Sequence, residues 1–424
     1  MRKNVILQKS ILLLLSLLLI LLSSIACSQN VVQNHEPATM ELINILKENP
    51  DLQQLLIRSI DMAKEINPDK NTNPAQSMED YFLYLDWAVK AMPWNALHSA
   101  QEIPSLFEAI DQSLNYFYWL LDQPLPELEG HGYYYNSVQY YPALQPWLVS
   151  FVMSWGDFLS TEESWNAEYY EKMRTEPLFN LDSGWYEDPS NWKTWNDFFS
   201  RALSSPDVRP IAAPDDNSIV ISPGDSEPQG VWRIDINSQL EPGFEVKSTK
   251  YLSVANLLSD YSTYSEIFAS GNITHTFLNV QDYHRFHFPV GGTIKEVLNI
   301  PAQAALGGNT IWDGDTERYH LIITEPGWQT IQTRGLVVID THDYGYVAVQ
   351  PVGMSQISSV IFEDTVVVDA EVKKGDPLGR FLFGGSDIIM IFEEKAGFEI
   401  TVPASGKVHE HVLMGQEYGK LNKN

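Results

Sequence analysis

Apolar positions change their period partway along this chain. Leu42, Ile43, Ile45 and Leu46 precede Pro50, and Leu52, Leu55, Leu56, Ile60 and Ala63 follow it at three- to four-residue spacing, which predicts helices from Met40 onward. Helical stretches are also expected at 78–91, 104–121 and 143–159. Farther on the pattern shortens. Ser218–Ser222, Gly230–Ile236, Thr274–Val280, His320–Thr324, Gly335–Ile339, Tyr346–Gln350 and Ile388–Phe392 are brief, β-branched and aromatic, with Gly, Pro and Asp clusters between them. The stretch from Ser204 to Ser218, rich in Pro, Asp and Ser, reads as a linker. The expected fold is therefore α+β: a mainly helical N-terminal domain over 40–205, then a mostly β domain over 206–424 forming a compact sheet sandwich.

The first 39 residues stand outside this pattern. Arg2, Lys3 and Lys9 precede Ile11–Leu22, an apolar run with one serine. That run is shorter than the ~20 residues of a spanning helix and suits a signal-peptide core. It ends in Ser24-Ile25-Ala26-Cys27, which resembles a bacterial lipoprotein signal. The resemblance implies removal of 1–26, lipidation of Cys27, a polar tether over 27–39, and a place in the bacterial cell envelope, anchored to the membrane on the exported side. Cys27 is the single cysteine of the chain, so an internal disulfide and a multi-thiolate zinc site are excluded.

Charge narrows the partners. With 55 acidic and 27 basic side chains the net charge is −28 and the pI about 4.6. Nucleic acid is not an expected partner, since phosphate binding needs a basic surface. Losing residues 1–26 removes three basic and no acidic side chains and takes the charge to −31, so a lipid, not electrostatics, has to hold the protein to an anionic bilayer. Nine of the twelve tryptophans fall between Trp87 and Trp195, where they can serve as a helical core or line a ligand groove. No metal site is expected: His409-Glu410-His411 reads as a solvated strand, and Asp313-Gly314-Asp315 as a turn, because the calcium-loop spacing does not continue.

Four motifs carry candidate chemistry: Trp195-Asn196-Asp197-Phe198-Phe199-Ser200-Arg201; Ser222-Pro223-Gly224-Asp225; Asp282-Tyr283-His284-Arg285-Phe286-His287-Phe288-Pro289; and Lys374-Gly375-Asp376 leading to Phe381-Leu382-Phe383-Gly384-Gly385-Ser386. Gly-Gly-Ser leaves the Gly385 carbonyl open to the Ser386 hydroxyl. A histidine can take that proton, and a carboxylate such as Asp225 can hold an imidazole in one tautomer. Each piece alone is common as a turn or a structural histidine.

In this order the motifs resemble the phosphatidylserine decarboxylase family, from about residue 190 to the end. His284 and His287 match the family's Asp-Tyr-His-Arg-x-His-x-Pro motif, and Gly385-Ser386 its cleavage site. The resemblance implies a self-processing zymogen. Ser386 attacks the Gly385 carbonyl with His287 as base and Asp225 orienting it. The chain is cut into 27–385 and 386–424, which stay associated. Ser386 becomes a pyruvoyl group, the built-in cofactor, which binds a substrate amine and withdraws electrons as CO2 leaves. His284 returns a proton to the α-carbon. Three positions depart from the family: Asp387 stands where Ser or Thr is usual, and in the family's Ser-Pro-Ala-Asp-Gly motif Gly224 stands for Ala and Ser226 for Gly.

The implied activity is conversion of phosphatidylserine to phosphatidylethanolamine, acting on the amino-acid headgroup of a phospholipid. The Trp/Tyr-rich N-terminal part resembles the extra domain of the tryptophan decarboxylase-like members, which implies a free, aromatic amino acid instead. A third reading is a non-catalytic lipoprotein that keeps the fold as a binding module.

Overall fold

The computed structural model describes residues 34–95, 97, 103, 105–240, 253–301, 304–323, 328–354, 360–383, 385–406 and 408–423. The chain divides after Pro37, and the fold below is that of Ala38–Asn424, one compact unit. Cys27 and the signal-like run lie outside the described residues.

The N-terminal part is helical. Helices span Pro37–Glu48, Pro50–Ile66, Met78–Ala88, Leu106–Trp119 and Gln145–Leu159. Pro50, which lacks an N–H to donate, stands at the start of the second helix and breaks it from the first. The buried positions Leu52, Leu56, Ile60 and Ala63 follow the predicted spacing. Ser77 and Ser105 cap the third and fourth helices by accepting from the N–H of Asp80 and Glu108.

The remainder is mostly antiparallel β. A seven-stranded sheet runs in the order Glu371–Val372, Gly292–Ile300, Thr333–Asp340, Tyr346–Met354, Gly385–Phe392, Asn272–Leu278, Glu227–Arg233. Two three-stranded sheets accompany it, Val360–Phe362 with Pro377–Phe381 and Arg285–His287, and Ile219–Ile221 with Glu417–Lys420 and Glu399–Ile400. Strand alternation sorts the large sheet's side chains. Ile388, Met390 and Phe392 join the main core, with Phe286, Leu378 and Phe381 of the small sheet, whereas Ile389 and Ile391 join a second core with Leu336, Val338 and Val352.

The change of secondary structure near 205 is not a break in packing. Tyr319, on the hairpin strand Arg318–Ile322, is fully buried among the helices. Its hydroxyl donates to the Thr72 carbonyl at 2.9 Å, and its backbone exchanges bonds of 2.7 and 2.8 Å with the Gln112 side chain. Asp122, after the Leu106–Trp119 helix, accepts from the Thr310 N–H at 2.6 Å, Gln139 at 2.6 Å and Ser137 at 2.9 Å. The stretch read as a linker is tied down as well: Lys374 Nζ donates to the carbonyls of Ala213, Asp216 and Ile219 at 2.7, 2.8 and 3.1 Å. An ammonium has three N–H donors, and the buried Lys374 spends all three on backbone carbonyls here.

Candidate active site

Ser386 enters the large sheet as the second residue of its strand, paired with Leu278 on one side and Gly353 on the other. It is fully buried. Gly385, just before it, pairs with Met354. His284 lies in the turn between Asn272–Leu278 and Arg285–His287, and its Nδ1 is 2.9 Å from Ser386 Oγ. Its Nε2 is 3.3 Å from the Val280 carbonyl, which can only accept. The proton therefore sits on Nε2, and Nδ1 accepts from the serine hydroxyl. Burial, helped by the Arg201 charge, lowers the His284 pKa to about 3, so the ring is neutral.

The first motif builds the wall behind this pair. Trp195–Phe199 is a short helix closed at its start by a capping box between Thr194 and Asp197. Phe199 stacks on the His284 ring, centroids 3.9 Å apart and 21° from parallel. Phe383 packs against Trp155, Trp195 and Phe199 with centroids 5.3–5.7 Å apart, and its N–H donates to Asn196 Oδ1 at 3.0 Å. Arg201 donates to the carbonyls of Gln281 and Asp282 at 2.6 and 2.9 Å and lies 4.3 Å from the Tyr186 ring centroid. The helical part and its exit thus fix both the turn that carries His284 and the segment that leads to Gly385.

His287 has other partners. Its Nδ1 donates to the Gly375 carbonyl at 2.9 Å, and its Nε2 accepts from the Tyr283 hydroxyl at 3.1 Å. Burial lowers its pKa as well. Asp225 is buried and held by Arg209 through bonds of 3.1 and 2.7 Å and by the Met414 N–H at 2.8 Å. Two expected contacts are corrected by this geometry. His284, not His287, reaches the Ser386 hydroxyl. The Asp225 carboxylate closes on a guanidinium and a backbone N–H, not on the His287 ring, because Arg209 offers a two-pronged fit that an imidazole lacks.

Asp387 does not crowd Ser386. Neighbouring residues of a strand point to opposite faces, and the Asp387 carboxyl bonds His275 Nε2 at 2.6 Å. His411 likewise reaches Asp282, at 3.0 Å, and that bond raises its pKa. Neither histidine has a carboxylate at a telling spacing in sequence, and only strand pairing and loop packing bring the partners together. Tyr283, Phe199 and Arg201 stood inside the motifs but carried no signal of what they touch. A cavity of about 260 Å³ lies alongside, where Trp185 and Tyr186 of the helical part meet Asp225, Asp282 and His411.

The family model for phosphatidylserine decarboxylase matches residues 195–420, more than half of the chain, and the chain belongs to that family. Its relatives place it in the branch that includes tryptophan decarboxylases: an L-tryptophan decarboxylase of Psilocybe cyanescens is 29% identical over 56% of this chain and 59% of its own length. A decarboxylase of Amanita muscaria, iboD, is 28% identical over 66% of this chain and 85% of its own length. Phosphatidylserine decarboxylase proenzyme 3 of Schizosaccharomyces pombe is 32% identical over 58% of this chain but 24% of its own length. The chain spans less than two-thirds of the first and third of these relatives. It is a decarboxylase, a carboxy-lyase.

Proposed function

We propose that this protein is a zymogen that cuts itself between Gly385 and Ser386 and then decarboxylates the serine headgroup of phosphatidylserine. The observation that carries the cleavage reading is the 2.9 Å contact between His284 Nδ1 and Ser386 Oγ in a buried site. A neutral imidazole beside a hydroxyl is a base ready to act. Ser386 Oγ gives its proton to His284 and attacks the Gly385 carbonyl carbon, and the amide becomes an ester. Loss of the Ser386 α-proton expels the ester oxygen as the Gly385 carboxylate. Water replaces the nitrogen, which leaves as ammonia, and residue 386 ends as a pyruvoyl group.

The residues present fit that group. Ser386 has its hydroxyl, a buried strand position and a histidine in contact. The pyruvoyl carbonyl supplies the electron sink for a substrate amine as CO2 leaves. Phe199 and Phe383 exclude water from the His284 side, and His284 is in reach to hand a proton to a carbon held at residue 386. His287, locked by Gly375 and Tyr283, orients the turn that carries His284.

A free aromatic amino acid is the second reading. It is favoured by the aromatic wall that Trp155, Trp195 and Phe199 of the helical part form with Phe383, and by the relatives named for tryptophan. Purified protein given phosphatidylserine dispersed in detergent, and separately L-tryptophan, decides between the two by CO2 release. Release from neither sinks both. Lipidation of Cys27 and anchoring in the cell envelope belong to the same proposal. Intact mass reports the acylated chain 27–385 and a second chain 386–424 together, and an unmodified Cys27 sinks the anchor.

A further inference from the structure

The residue next to the scissile bond is held from behind. Asp387 is 1% exposed, yet only one of its oxygens is engaged: Oδ1 meets His275 Nε2 at 2.6 Å, and Oδ2 has no hydrogen-bond partner. His275 sits on the neighbouring strand Asn272–Leu278, opposite Ile389 and so one diagonal step from Asp387. The Trp328 ring approaches His275 edge-on, with centroids 6.0 Å apart. A buried carboxyl with an unpartnered oxygen lowers stability, so packing energy does not explain it. Its position does. Gly385 pairs only with Met354, and Ser386 is the first residue of the strand that is paired on both sides. A ladder is weakest at its end, and a slip of one residue turns every side chain to the opposite face. Such a slip would carry Ser386 away from His284.

We propose that the Asp387–His275 hydrogen bond is a positioning device for the chain cut. It pins the strand's register from the second core, so that Ser386 Oγ stays on His284 Nδ1. The slip is blocked because it would take the Asp387 carboxyl out of reach of His275. Once the chain is cut, residue 386 is a terminus, and termini fray unless tied down. The same bond then keeps the new terminus in the site. Neither residue touches a reacting atom; both act through Ser386. This inference rests on the proposal that the chain is cut at Gly385–Ser386.

The test follows the cut in the full chain made by cell-free translation, timing the appearance of the 386–424 fragment. Asp387→Ala and His275→Ala each slow the cut by about 10- to 100-fold, the scale of an ångström-sized misplacement. The double variant is no slower than the slower single variant, since both remove the same bond. Asp387→Asn, which keeps an acceptor for His275, cuts near the wild-type rate. In the uncuttable Ser386→Ala background, Asp387→Ala leaves the melting temperature unchanged or higher, which separates positioning from a structural role. Alanine variants that cut as fast as wild type overturn the inference, and so do additive losses in the double variant. A wild-type chain that is never cut sinks the cleavage proposal and this one with it. A cut wild type with unaffected variants sinks this one alone.

Discussion

The two motif histidines stand three positions apart, yet their surroundings assign them different work. His284 touches the serine and is stripped of water by Phe199 and the core around it. His287 is fully committed to Gly375 and Tyr283. On the proposed mechanism, His284→Ala leaves the chain uncut, with Ser386→Ala as the matching control, while His287→Ala slows the cut without abolishing it. Gel analysis of the two fragments checks this, and an uncut His287→Ala beside a normally cut His284→Ala reverses the roles. The pH dependence is also set at this scale. Because the His284 pKa is lowered to about 3, the ring stays neutral above that, and the rate of cutting shows no inflection near the ordinary imidazole value of 6.5. Fragment formation timed between about pH 5.5 and 8 checks it; a fall centred near 6.5 marks a different base.

At the scale of elements, helix and hairpin are joined by polar contacts that are buried and therefore costly to break. Tyr319→Phe removes the hydroxyl bonds to the Thr72 carbonyl and the Asn67 side chain, and destabilises by about 1–3 kcal/mol because those partners stay buried. Thermal unfolding of the Ser386→Ala chain reads this without interference from cutting. Asp122 adds a pH signature. Burial raises its pKa to about 7 from 3.8, so between those values the folded state holds a proton that the unfolded chain has lost. Its contribution is thus fully present below the unfolded value and falls as pH rises through about 7, with a slope of at most about 1.4 kcal/mol per unit. His284 acts in the opposite sense: its folded pKa lies below the unfolded one, so stability is lost as pH falls from about 6.5 toward 3. The Asp122 part is isolated by comparing wild type with Asp122→Asn. The variant lacks the decline between about pH 4 and 7, and parallel curves refute the assignment.

For the whole molecule, the proposed cut falls at the start of an inner strand. Gly385–Phe392 is paired on both sides, with Tyr346–Met354 and Asn272–Leu278, and all of its ladder partners lie in the large fragment. The 39-residue fragment also supplies Glu417–Lys420, which pairs with Ile219–Ile221. The two chains therefore co-elute in size-exclusion chromatography under native conditions and separate only in denaturant. Separation in native buffer contradicts the shared sheet.

The sequence by itself determined the helical half and the strands after it, and it named the candidate residues of the site, because each is written in local spacing or in a contiguous motif. Leu52 to Ala63 spell a helix face, Ile388–Phe392 spells a strand, and Gly385-Ser386 and the two histidines stand in order. What meets what was decided by the tertiary structure. His284 and Ser386 lie 102 positions apart, His275 and Asp387 lie 112 apart, and Tyr319 reaches back 247 positions to Thr72. Spacing carries no information about such pairs, since strand register and turn packing set which side chains face one another. For the same reason the expected Asp225–His287 contact gave way to Asp225–Arg209. A carboxylate takes the best-shaped donor that folding brings to it, and Arg209 comes from the very stretch that the sequence presents as a linker.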